Sequence, residues 1–161
     1  MSDHQPPEIA AVLLADTVDQ DDANGRIHLL GGGVRAIVTA QLPALHGRLG
    51  MLVAIRTTEG PPAPAEMSVH LVDPDGDEIE LVRGDLVPAA GGPGSIVWVG
   101  FNLPPLPLGM AGEHRVELRG VGATSYGVSL DVMTSDAWDD EHETDEPAFR
   151  PFLAPGADRS N

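Results

Sequence analysis

The chain has 161 residues, with 25 acidic and nine basic side chains, giving a formal net charge of −16 without a single lysine. A length of this order suits one domain, and 42% apolar residues suffice to fill a core. An anionic field of this size disfavours nucleic acid and acidic membranes as partners, and the absence of cysteine removes disulfides, thiolate metal sites and cysteine nucleophiles.

Residues 1–7 read as a flexible arm without a basic leader region. The apolar run Ile9–Ala15 that follows is too short to cross a bilayer or act as a signal sequence, so a cytoplasmic location is expected. That run, the acidic turn Asp19–Gly25 and the second apolar run from Ile27 to Val34 predict a β-hairpin over 8–38 closed by Asn24-Gly25. In its second half Val34, Ala36 and Val38 alternate with Arg35 and Ile37. Gly31-Gly32-Gly33 is read as a bulge or sharp bend between strands, because no helix and no lysine follow to make a phosphate loop.

Leu49, Met51, Val53 and Ile55 share one face of the next strand, and Met67, Val69 and Leu71 share one face of the strand after a Pro-rich loop. Asp73-Pro74-Asp75-Gly76 is a turn, which brings Glu78–Arg83 back antiparallel. Ile96–Leu103 is apolar on both faces and predicts a strand central in its sheet. Pro104–Gly109 reads as a rigid connector. Val116 and Leu118, then Tyr126, Val128, Leu130 and Val132, alternate with polar residues or glycine.

The expectation is an all-β domain over 8–134, an antiparallel β-sandwich of about eight strands. From 135 to 161 eight acids and two arginines set a net charge of −6, and this acidic C-terminal tail is expected to be disordered. The elements Leu13-Leu14-Ala15-Asp16, Asn24-Gly25-Arg26, Leu29-Leu30-Gly31-Gly32-Gly33, Leu42-Pro43 and Asp73-Pro74-Asp75-Gly76 resemble an uncharacterised family of small bacterial proteins of unknown function. The resemblance covers roughly 9–133. It implies a β-sandwich and brings no activity or catalytic residues with it.

The six histidines (His4, His28, His46, His70, His114, His142) have no metal-ligand spacing, and no Gly-x-Ser-x-Gly elbow is present. An enzyme is therefore not expected, nor is a cofactor. The tail sets Trp138, Phe149, Phe152 and Leu153 as apolar anchors in an acidic, Pro-punctuated segment, the make-up of a docking motif. The leading expectation is a non-enzymatic protein-interaction or structural module with a protein partner or as a homo-oligomer. The alternative is a small-ligand or Ca²⁺-binding sandwich using acidic loops, with Asp73, Asp75, Asp77, Asp19 and Asp21 as oxygen ligands.

Overall fold

A computed structural model of the chain describes residues 8–21, 25–57, 64–86, 94–121 and 125–137. Among them eleven strands form: β1 (Glu8–Asp21), β2 (Arg26–Gly32), β3 (Ala36–Thr39), β4 (Ala44–His46), β5 (Leu49–Arg56), β6 (Ala65–Val72), β7 (Glu78–Leu86), β8 (Ile96–Leu103), β9 (Leu106–Leu108), β10 (Gly112–Arg119) and β11 (Tyr126–Thr134). The first sheet has the order β2-β1-β5-β8 and is antiparallel throughout. The second has the order β3-β11-β10-β6-β7, with the β3/β11 pair parallel, and β4 pairs with β9 as a third, two-stranded sheet.

Period-2 patterning decides which side chains meet between the sheets. Met51, Val53 and Ile55 of β5 are fully buried, as are Val69 of β6, Val116 and Leu118 of β10 and Leu130 of β11. With aromatics at 4% of the chain, these aliphatic side chains supply the core. Each contributes about 1.5–3 kcal/mol by leaving water. Leu106 and Leu108 of the Pro-rich connector join the same cluster. One polar side chain sits among them. His114 is buried, its Nδ1 is 3.1 Å from the Gly112 carbonyl oxygen, and its Nε2 has no hydrogen-bond partner.

Three of the eleven strands are short elements that periodicity either passes over or assigns to a neighbour. β4 and β9 are three residues each, and the Pro104–Gly109 connector therefore contains a strand. β3 belongs to the second sheet, so the hairpin ends at Gly32 rather than 38. Gly31 and Gly33 both hold positive φ, and the amides of Gly33 and Val34 donate to the Leu14 carbonyl oxygen, which turns the chain from one sheet to the other. The bend expected at the glycine run is this turn. Past it the inward side chain is Ile37, while Val38 faces solvent.

The placement of Ile96–Leu103 differs from expectation. β8 is an edge strand, hydrogen-bonded only to β5 among the described residues. Its outer face carries Ile96, Trp98 and Gly100 beside the polar Asn102. No helix among the described residues is long and apolar enough to cross a membrane.

Candidate functional site

β1 divides its hydrogen bonding between two partners. Residues 8–15 pair with β5, residues 15–21 pair with β2, and Ala15 is opposite both Gly50 and Gly32. Beyond Ala15 the hairpin of β1 and β2 lies as an arm across the outer face of the first sheet, the face of Gly50, Leu52, Gly100 and Asn102. Two glycines permit this. A Cβ on Gly50 would lie 2.8 Å from the backbone nitrogen of Val18, and a Cβ on Gly100 would overlap the Val18 side chain. Asn102 fastens the arm by acting as a substitute strand partner. Its Oδ1 accepts from the Val18 amide at 2.9 Å and its Nδ2 donates to the Val18 carbonyl oxygen at 2.7 Å.

Between the arm and the sheet runs an open groove of about 500 Å³ lined by Gly25, Ile27, Leu29, Leu52, Ile96, Val97 and Trp98. Ile27 and Leu29 supply one wall from the arm, and Ile96 and Trp98 supply the other from β8. Both Ile96 and Trp98 keep 50% of their surface exposed. Singly exposed apolar residues are ordinary on any protein, whereas these two large ones stand two residues apart along one edge of a groove. β8 itself carries no charged residue from Ile96 to Leu103, and it has none of the bulges, prolines or charges that usually blunt an edge.

The outer face of the second sheet is finished differently. Arg83 bridges Glu66 and Glu80, Arg119 bridges Glu78 and Glu117, and Arg115 also holds Glu117. Arg119 donates to Glu78, and Arg83 to Glu80, which holds both carboxyls below their ordinary range. His70 faces outward as its alternation predicts, yet it is buried beneath this lattice. Its Nε2 is 2.9 Å from Ser68 Oγ, and Glu78 and Glu80 each stand 3.8 Å from the ring.

Of the acidic residues singled out in the sequence, Asp73 is engaged within its own turn. Asp73 Oδ1 accepts from the amides of Asp75 and Asp77 at 3.0 and 2.9 Å, and the Gly76 amide donates to the Asp73 carbonyl oxygen, so this carboxylate serves its own turn. Asp19 and Asp21 are strand residues of the arm, opposite His28 and Arg26. No group of three or more His, Asp or Glu among the described residues is placed to hold one metal ion. Trp138, Phe149, Phe152 and Leu153 lie outside the described residues.

Sequence reasoning did not find the groove. The available signal was the pair of glycines, Gly50 and Gly100, set in otherwise apolar strands, where a missing side chain marks close approach of another backbone.

A family model described as a family of unknown function (DUF6941) matches residues 10–133. That span runs from the third residue of β1 to the penultimate residue of β11 and contains the whole of the arm and the groove. No curated protein matches the chain.

Proposed function

We propose that this chain, which belongs to the family of unknown function (DUF6941), is a non-enzymatic protein-interaction module whose binding surface is the Trp98 groove. The observation that carries the reading is the pairing of half-exposed Ile96 and Trp98 on an uncharged edge strand, walled by the hairpin arm. Tryptophan in a partly walled apolar depression is the residue type that dominates binding energy in protein interfaces. The lining side chains include no nucleophile and no general base, which favours binding over chemistry. The net charge of −16 selects against nucleic acid and anionic lipid, leaving protein as the partner class.

Site-specific photocrosslinking in the native host tests this. A photoreactive side chain at position 96 is expected to form adducts with one or a few proteins that bind the purified chain directly. Trp98→Glu is expected to reduce those adducts roughly tenfold or more, as for a binding hot spot. Adducts from position 96 that match those from Ser129, on the opposite outer face, in identity and yield would overturn the reading.

A further inference from the structure

We infer that the partner of the Trp98 groove is a second copy of this chain, bound by antiparallel pairing of β8 with β8 across a two-fold axis at Val97. The inference rests on the proposed binding role of the groove and names its partner.

The open edge is the first argument. The Thr57 amide donates to the Ser95 carbonyl oxygen at 2.9 Å, which makes these two a hydrogen-bonded pair where β5 meets β8. Antiparallel ladders alternate between bonded and non-bonded pairs. With Arg56 opposite Ile96 and Ile55 opposite Val97, it is Val97, Val99, Phe101 and Leu103 that direct their backbone groups to β5. Ile96, Trp98, Gly100 and Asn102 turn theirs to the free edge, where no described strand meets them.

Charge selects the occupant. From Leu86 to Gly112 the sequence has no charged side chain, although 21% of the chain is charged. Two copies at −16 repel one another over most of their surface, and an edge inside this stretch lets them approach at least electrostatic cost. Other outer strands are less suited. β7 carries Glu78, Glu80, Arg83 and Asp85, β2 carries Arg26 and His28, and β3 has four residues. A two-fold axis also makes a strand edge self-complementary, because each copy offers the other the donors and acceptors that it needs.

The arm fixes the register. Centred on Val97, the pairing sets Ile96 opposite Trp98 twice, so the outward backbone groups of both residues are bonded and four half-exposed side chains meet on the outer face. Gly100 then stands opposite Gly94, and no side chain is forced beneath the arm. A centre at Trp98 or Val99 would place Ile96 or Trp98 opposite Gly100, where Val18 already fills the space. A contact this short lies at the small end of specific interfaces, below about 1,200 Å² in total. The dissociation constant is accordingly expected to be on the order of 10 μM.

Sedimentation equilibrium of the full-length chain is expected to give a reversible dimer that tightens several-fold between about 0.05 and about 0.5 M salt, as screening relieves the repulsion. Trp98→Lys and, separately, Ile96→Pro are each expected to weaken it at least tenfold with the circular dichroism unchanged. Proline at 96 deletes an amide directed to the free edge and leaves the bonded pairs with β5 whole. The chain has no cysteine, so Val97→Cys puts a lone thiol beside its symmetry mate, about 4.5 Å away between Cα atoms, and a disulfide-linked dimer is expected on oxidation. Val99→Cys, two residues off the axis, is expected to stay reduced. A chain that remains monomeric to about 1 mM, a dimer indifferent to both edge variants, or a disulfide formed as readily at 99 as at 97 would overturn the inference. So would a monomeric chain whose position 96 crosslinks to a different protein, which would leave the groove's binding role standing.

Discussion

The two outer faces of this sandwich carry opposite chemistry. The second sheet covers itself with arginine–glutamate bridges centred on His70, and its edge strand β7 bears Glu78, Glu80, Arg83 and Asp85 together with a bulge opposite Val69 and His70. The first sheet is covered by a folded-over piece of its own strand, and its edge strand β8 is uncharged and half exposed at Ile96 and Trp98. A charged, solvated lattice gives little to any one contact and resists pairing with another strand. An apolar groove under a hairpin does the reverse. The comparison teaches that of these two edges only β8 lacks the charges that oppose strand pairing, which is why the proposed binding surface is placed there.

The largest effect is expected from Gly50→Ala. The new methyl would meet the Val18 backbone, which cannot rotate away as a side-chain tip can. A loss of about 2–3 kcal/mol is expected, read as a lower denaturation midpoint at unchanged slope. Wild-type stability in this variant would mean that the arm does not rest on the first sheet. Asn102→Leu is next. It removes the substitute strand partner and strands the amide and carbonyl of Val18, for about 1–3 kcal/mol. Hydrogen exchange at Val18 should accelerate in the same variant while the amides of β10 keep their protection.

The charged face gives smaller effects and a pH dependence. Glu78 and Glu80 titrate below their usual 4.5 in the folded chain because of Arg119 and Arg83. Their contribution is thus present above about pH 5 and is lost as pH falls through the unfolded and then the folded value. Glu78→Gln/Glu80→Gln should flatten the acid limb of a melting-temperature profile and leave the neutral limb nearly unchanged. Arg83→Ala is expected to have the smallest effect of the set, since Arg83, Glu66 and Glu80 are all solvent-exposed. The difference from wild type should fade in about 1 M salt, where screening reaches about 3 Å.

Much of this architecture was legible from alternation. The rows Leu49–Ile55, Met67–Leu71 and Val116–Leu118 assign their own faces, and Asp73–Gly76 announces its turn. Alternation says which face a residue occupies, but not which sheet receives the strand. Alternation therefore extends the hairpin to residue 38, whereas residues 36–39 pair with β11. The both-sided apolarity of Ile96–Leu103 predicts a central strand, but an edge strand with an element laid across its outer face carries the same pattern. The covering element is the arm, whose Val18 lies over Gly50 and Gly100. A glycine registers as an absence in sequence, so the groove it makes room for leaves no periodic trace.

The divided ladder of β1 has one more consequence. Because Ala15 is where pairing passes from β5 to β2, residues on its two sides belong to different cooperative units. The distal portion is expected to detach together with β2 by breaking the Asn102 bridge and lifting Val18 from Gly50 and Gly100, while Ile9–Leu14 stays paired with β5. Deuterium uptake should split this single fourteen-residue strand into a slow half and a fast half. An opening of that kind costs less than global unfolding and would let a bulky guest enter without melting the interior.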